Sequence, residues 1–306
     1  AGEQRSAAEL KSRNPNPQQR RVCAALHASF RPTAGVGEEK TMRIGKNKNL
    51  ISGAIIAGLM ILLIIVGQFW TPYDPNEIGM LRAAPPSFQH LLGTDNFGRD
   101  IFSRVLTGSG ATLFIALCTV IIGAVFGVII GAFTGYFGGL VDEGLMRVND
   151  TLAAFPSILL ALVILSLTGP GKYNVILALG LLFIPSFARI VRTEFAAQKN
   201  LDYVRSARLM GAGHLRVMFV HILPNVGKTL LRGIAIGFNN AVLAEAGMSF
   251  LGIGVSPTEA SLGRMLSDSQ AYLFSVPWMA LGAGLAIILL ILGFSLLSEG
   301  LGEPTC

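Results

Sequence analysis

Few residues of this chain have the types and spacing that catalysis needs. Gly227-Lys228-Thr229 has the ending of a phosphate-binding loop, but that motif requires a glycine at position 222. The chain has Ile222 there, and no strand is expected before it. No nucleophile–base pair and no paired-carboxylate pattern stands out either. We therefore expect a chain that is not an enzyme and that has no nucleotide site of its own.

The residues that most often bind metals are scattered. The three cysteines form no CxxC pair, and the four histidines form no ligand cluster. They are Cys23, Cys118, Cys306, His27, His90, His214 and His221. We expect this chain to bind no metal and no cofactor.

Several polar residues instead interrupt apolar runs. Glu245 is the clearest case, since an ionisable group within a membrane helix is costly unless it faces partners or water. It is either a residue of a translocation path or gate, or the acceptor of an interhelical hydrogen bond from Asn239, Ser249 or another helix. Asp150, beside Asn149, would either cap a helix start, where the dipole favours an acid, or line the inner mouth. The candidate path residues are Asp150, Asn239, Asn240, Glu245 and Ser249.

The composition is that of an integral membrane protein. Hydrophobic residues make up 52% of the chain, charged residues 14%, and the mean hydropathy is +0.58. Lys and Arg concentrate before Leu50 and over 189–232. Because basic loops stay cytoplasmic, topology explains the net charge of +6 better than nucleic acid does. Lipid is therefore an expected partner and nucleic acid is not.

Apolar runs long enough to span a bilayer predict an all-α polytopic membrane protein with six transmembrane helices. With the basic N-terminus inside, both basic stretches and both termini fall in the cytoplasm. Residues 1–41 are predicted to be either a disordered extension or an upstream reading artefact. Residues 42–108 are predicted to be the first helix with an external segment, and 109–302 the core, with a cytoplasmic loop at 192–229. The predicted spans are 50–70, 109–135, 145–168, 174–191, 230–254 and 279–298.

Two further patterns lie in the second span and before it. Gly123, Gly127, Gly131 and Gly135 recur at every fourth residue, which favours close helix packing within the bundle or against a partner over pore lining. The external segment 92–104 interleaves charged and apolar residues. It suits either an interfacial amphipathic segment or a docking surface for an external protein.

The cytoplasmic loop predicts a helix-turn-helix. Tyr203, Ala207 and Met210 recur at helical spacing and form one apolar face, with Arg205 and Arg208 on another. Gly211-Ala212-Gly213 is expected to end the helix. A second short helix is expected over 214–222, and Pro224 is expected to stop it. Such a unit is either a handle for another protein or a plain connection.

This loop resembles the cytoplasmic "EAA" loop of ABC importer permeases. Ala207, Gly211, Leu223 and Pro224 match that signature, while Arg205 and Ser206 replace its Glu and first Ala, and His221 takes a usual Ile position. The stretches 92–104, 147–156 and 245–254 resemble the second permease of dipeptide, oligopeptide and nickel importers. The resemblance covers residues 43–302, and Leu262 departs from the usual Trp.

The resemblance implies a type I ABC importer permease fold in a bacterial or archaeal cytoplasmic membrane. It implies a heterodimer with a second permease subunit, two ATPase subunits that bind ATP and Mg²⁺, and an extracytoplasmic solute-binding protein. The expected cargo is di- or oligopeptide, with nickel or a metal chelate as the alternative. The residues that it assigns to ATPase coupling are Asp202, Tyr203, Arg205, Ala207, Arg208, Met210, Gly211 and Pro224.

A secondary transporter or channel that works without an ATPase is the alternative from another class. It would predict ionisable residues spread across several spans and recognisable repeats. Only Glu245 and Asp150 meet the first condition.

Overall fold

A computed structural model describes residues 36–256 and 258–301, and the regular elements of that part are helices. Contacts divide the chain into Ala1–Gly45 and Lys46–Cys306, and the packing described here is that of the second unit. The predicted extension at 1–41 lies mostly outside the described residues. The helices are α1 Val36–Phe69, α2 Ile101–Phe137, α3 Gly139–Ala153, α4 Ser157–Thr168, α5 Lys172–Gln198, α6 Asp202–Leu209, α7 His214–Arg216, α8 Leu223–Phe250, α9 Leu262–Ser269 and α10 Pro277–Leu301.

Four helices of the described part are long and apolar enough to cross a membrane. They are Asn49–Phe69 of α1, then α2, α5 and Pro277–Gly300 of α10, and the bent pair α3–α4 provides a fifth if it forms one span. The predicted helical membrane protein is therefore confirmed. Helix α8, with 28 residues, contains Lys228, Arg232 and Glu245 and is not among these candidates, so the count of six remains a prediction.

The predicted third span is not one straight helix. It divides into α3 and α4, which meet at an angle of 82°. Pro156 stands directly before α4, where its ring locks φ and removes a donor, and it disfavours helical backbone at Phe155. The sequence prediction of a continuous helix over 145–168 was wrong for this reason.

The glycine repeat packs α2 against α5. A Cβ on Gly131 would lie 2.5 Å from the carbonyl oxygen of Ala188, and one on Gly135 would lie 2.5 Å from that of Arg192. These distances are far below van der Waals contact, so the two backbones touch where the side chains are missing. The predicted close packing is confirmed, and within the bundle.

The predicted stop at Pro224 was also wrong. Helix α7 continues through a π-helical turn, Val217–Ile222, directly into α8. The N–H of Leu223 donates to the carbonyl of Met218, five residues back, and Pro224 follows at the first turn of α8. Pro224 has no N–H with which to continue the i→i−4 pattern, and the chain passes into α8 through the wider π-helical turn that precedes it.

Candidate coupling and transport sites

Helix α6 is attached to the bundle through its inner face. Val204 and Ala207 are buried and pack in one cluster with Tyr136 of α2, Phe195 of α5 and Met218 of the π turn. Ala207 was predicted to share an outer face with Met210, but the structure places it on this inner face. A small residue there lets α6 lie close to the ends of three long helices, α2, α5 and α8.

The outer end of α6 carries two exposed apolar side chains. Leu209 is 89% exposed and Met210 is 81% exposed, whereas Tyr203 is half-buried and donates its hydroxyl hydrogen to Gln198 Oε1 at 2.5 Å. Sequence reasoning missed Leu209, although its place beside Met210 at the end of the helix was a usable signal. These two residues form the apolar tip of the loop, here called the α6 tip (Leu209 and Met210).

The two arginines of α6 have separate environments. Arg205 is exposed and lies 3.7 Å from the carboxylate of Asp202, one turn away. Arg208 lies with its guanidinium carbon 5.0 Å from the centre of the Tyr136 ring. The Tyr136 hydroxyl in turn is 3.0 Å from Nδ1 of His214. Tyr136 therefore ties the end of α2 to both sides of the turn between α6 and α7.

Gly211 makes that turn. Its φ is +83°, a conformation that L side chains rarely adopt, and no atom lies within 4 Å of a Cβ built on it. The need for glycine at this position is thus set by backbone conformation and not by close packing within the chain. Gly213 also has open space but no positive φ.

A cavity of about 550 Å³ opens between α4, α5 and α8. Asn240 is the one predicted path residue in its wall, where the polar groups are Ser157, Ser186 and Asn240 and no side chain is charged. The remaining wall is apolar or glycine. The lining residues are Ser157, Ile158, Leu179, Leu182, Phe183, Ser186, Phe187, Ile190, Gly233, Ile236, Gly237, Asn240, Leu243, Ala244 and Met248.

Glu245 and Ser249 lie elsewhere, in a buried polar cluster. The Glu245 side chain is fully buried and accepts hydrogen bonds from Thr112 of α2 at 2.9 Å and from Ser249 at 2.8 Å. Ser261, just before α9, also hydrogen-bonds to it. Three hydroxyl groups from three parts of the chain therefore satisfy one carboxyl group, which is what a buried acid requires. The structure places Glu245 in an interhelical contact.

Asp150 lies near the end of α3, so the interpretation as a cap of a helix start was wrong. Its carboxylate is 2.9 Å from Arg189 of α5, and both side chains are exposed. Its neighbour Asn149 is buried against Pro185, with Nδ2 donating to that carbonyl at 3.4 Å. Asn239 is half-buried, and its Oδ1 has no hydrogen-bond partner among the described residues.

The segment 92–104, predicted to be external, folds into a compact turn at the start of α2. Asp100 caps α2, accepting from the N–H and hydroxyl of Ser103, and its other oxygen lies 2.9 Å from Nδ1 of His90. Asp95 accepts from the N–H and the guanidinium of Arg99. The charges of this segment are thus largely used in its own folding.

Comparison with known proteins identifies the class. Residues 127–302 match the family described as binding-protein-dependent transport system inner membrane component. A solved inward-facing structure of the MetNI methionine ABC transporter has the same fold, with a TM-score of 0.54 at 17% identity over 65% of this chain and 97% of that one. The chain belongs to this family of inner membrane transport components and has the type I ABC importer permease fold.

Curated relatives include permeases of several transport systems. The dipeptide transport system permease protein DppC of Haemophilus influenzae is 36% identical over 84% of this chain and 90% of that protein. The glutathione transport system permease protein GsiD of Pectobacterium atrosepticum is 38% identical over 82% of this chain and 85% of that protein. The nickel transport system permease protein NikC of Escherichia coli is 36% identical over 81% and 90%. This chain is therefore an ABC importer permease.

Proposed function

We propose that this permease carries di- or oligopeptides across the cytoplasmic membrane, driven by ATP that two partner ATPase subunits hydrolyse. It would pair with a second permease subunit and receive cargo from an extracytoplasmic binding protein, with its own termini in the cytoplasm. The observation that carries the proposal is the construction of α6. Its inner face is buried against the ends of α2, α5 and α8, and its α6 tip is exposed.

This construction suits the transfer of force from an ATPase. A partner bound to the α6 tip would move the ends of α2, α5 and α8 together with α6. This follows because Val204 and Ala207 of α6 are buried in the same cluster as those helix ends. Movement follows ATP binding only if the ATP-bound partner prefers one permease conformation. The apolar centre of this contact would be the α6 tip. The residues that would shape or support the contact around it are Asp202, Tyr203, Arg205 and Pro224.

The cavity between α4, α5 and α8 is proposed as part of the cargo path. An uncharged wall with a few polar groups would let a solvated peptide pass without binding it tightly. Nickel or a metal chelate is the second candidate, because a nickel permease is 36% identical to this chain. No group of three or more metal-ligating side chains occurs among the described residues. A bare nickel ion would therefore have to cross without such a group of ligands from the described part of this chain.

The test is uptake by the complete complex in proteoliposomes, with labelled dipeptide and nickel chelate compared. We expect ATP-dependent uptake of the peptide. Leu209→Glu is expected to abolish both uptake and recovery of the ATPase subunits, because a charge at the α6 tip opposes burial in an apolar groove.

Leu140→Glu is the matched control, since Leu140 is 88% exposed at the start of α3 and is not part of the cluster that holds α6. Normal ATPase recovery with Leu209→Glu would contradict the coupling assignment. Transport of the nickel chelate alone would contradict the peptide assignment.

A further inference from the structure

The outward surface of α1 is apolar and continues past the end of the helix. Only 28% of an 18-residue apolar window within the span Asn49–Phe69 is buried, and the contacts of the span with the bundle run along one narrow stripe that includes Ala57, Met60 and Ile64. The exposed stripe at helical spacing is Ile51, Ile55, Leu59, Leu62, Val66 and Phe69. It ends at Phe69, which is 88% exposed, and is followed directly by Trp70, which is 65% exposed.

The length of the span sets the depth at which this stripe ends. A helix rises about 1.5 Å per residue, so the 21 residues Asn49–Phe69 reach about 31 Å, roughly the thickness of the hydrocarbon core. The start of α2 is at the same level, since a Cβ on Gly67 would lie 2.6 Å from Cβ of Leu106. Trp70 therefore lies near the boundary between hydrocarbon and headgroups.

The segment 70–91 folds over this boundary as a cap, here called the external cap (residues 70–91). Some of its backbone groups bond inward to the start of the next segment: the carbonyl of Leu81 accepts from Thr94 Oγ1 at 2.6 Å, and the N–H of Ala84 donates to the same oxygen at 2.9 Å. The N–H of Ala83 donates to the carbonyl of Asp95 at 2.8 Å.

Apolar side chains project from the external cap. Besides Trp70, the large apolar side chains that are more than half exposed are Ile78, Met80, Leu81, Phe88 and Leu91. Asp74, Glu77 and Arg82 are exposed among them, and a surface that mixes apolar and charged side chains suits the headgroup layer, where both kinds find partners.

The exposed aromatic residues share a groove. A cavity of about 380 Å³ is lined by Trp70, Phe88, Leu91 and Phe102 on its apolar side, and Asp100, Gln89 and Tyr73 also line it. The groove thus has apolar walls beside a few polar groups at the level where a phospholipid has its own polar and apolar parts. Trp and Tyr concentrate at this level of membranes because each has an apolar ring and a polar atom.

We propose that the external cap lies in the outer headgroup layer of the bilayer, with phospholipid in the groove between Trp70 and Phe88. The occupant is lipid because the groove is continuous with the exposed apolar face of α1. This proposal does not depend on the cargo. It assigns the external cap to the membrane, which leaves other external surfaces for the solute-binding protein.

The two tryptophans of the chain provide the test. In the complete complex in nanodiscs, the emission lost on Trp70→Phe isolates the signal of Trp70, and the emission lost on Trp278→Phe isolates that of Trp278. Trp278 is the matched control because it is half-buried and its indole N–H donates to the carbonyl of Thr94 at 3.4 Å. Both substitutions are conservative, so the complex should assemble in each case.

Phosphatidylcholine brominated near the glycerol end of its acyl chains is expected to reduce the Trp70 signal to half or less, and to affect Trp278 less. Aqueous iodide should quench Trp70 weakly. Strong quenching by iodide with no effect of brominated lipid would overturn the proposal. A Trp70 signal that ignores lipid and shifts only when the solute-binding protein is added would overturn it as well, and would assign the groove to that protein.

Discussion

At the scale of the residue, Gly211 is needed for its backbone conformation and not for close packing within the chain. A valine there would have to adopt the left-handed backbone at φ +83°, at a cost of about 1–3 kcal/mol, although there is space for its side chain. We expect Gly211→Val to displace the α6 tip, to lower peptide uptake and uptake-coupled ATPase activity several-fold, and to leave membrane insertion intact. Uptake and membrane content measured in parallel check this.

Gly213→Val is the control for that substitution. Gly213 has the same open surroundings, but its φ is −66°. If both variants transport equally poorly, the bulk of the side chain would be responsible and the conformational explanation would fail.

Single residues also show where the sequence was informative and where it was not. The sequence identified Glu245 as a residue that must have partners, because burial of a carboxyl is costly wherever it occurs. It left two interpretations open, since the choice depends on Thr112, which lies 133 positions away in the chain. Ala207 was assigned to the outer face for a similar reason: helical spacing defines a face but not the neighbour that the face meets.

At the scale of the element, the glycine repeat of α2 determines how α5 packs. Gly131→Leu would place a side chain where the Ala188 carbonyl and Val191 already lie, so the two helices would have to separate. Such overpacking costs about 1–3 kcal/mol or more, and we expect a lower yield and a lower thermal midpoint of the complex in detergent.

Gly58→Leu is the matched control, because Gly58 is exposed on α1 and nothing lies within 4 Å of its Cβ position. Equal midpoints for the two variants would show that the α2–α5 contact is not limiting for stability.

Element boundaries were the least predictable part of the fold. The hydropathy of 145–168 is continuous, so it concealed the break that Pro156 causes between α3 and α4. The opposite error occurred at Pro224, where a proline was expected to end a helix and the chain instead passes through a π turn. The buried cluster contains Val217, Met218 and Ile222 of that turn and Val226 of α8. The two prolines have different surroundings: Pro156 and its neighbours are exposed, whereas the turn before Pro224 is packed in a buried cluster.

At the scale of the whole molecule, the sequence predicted the class of protein more securely than its path for cargo. Composition, charge distribution and the loop over 192–229 each point to the same membrane class, and the family match confirms it. The path depends instead on which helix faces remain unpartnered within the chain. Which faces remain unpartnered depends on how the helices pack. In the packed structure Asn240 lines the cavity, and Glu245 lies in a buried contact.

Because Asn240 lines the cavity and makes no buried contact like that of Glu245, we expect a change at Asn240 to impair transport and not assembly. Asn240→Trp should fill part of the cavity and lower peptide uptake about ten-fold or more, which corresponds to at least about 1.4 kcal/mol, while the complex assembles and hydrolyses ATP. Leu231→Trp is the control, because Leu231 is exposed on the same helix but does not line the cavity. Uptake, ATPase activity and yield are measured on the same preparations.

If Asn240→Trp transports normally, cargo passes along another face of α8. If it lowers yield as much as uptake, Asn240 supports the assembly of the complex, and the cavity is then an interface with the second permease.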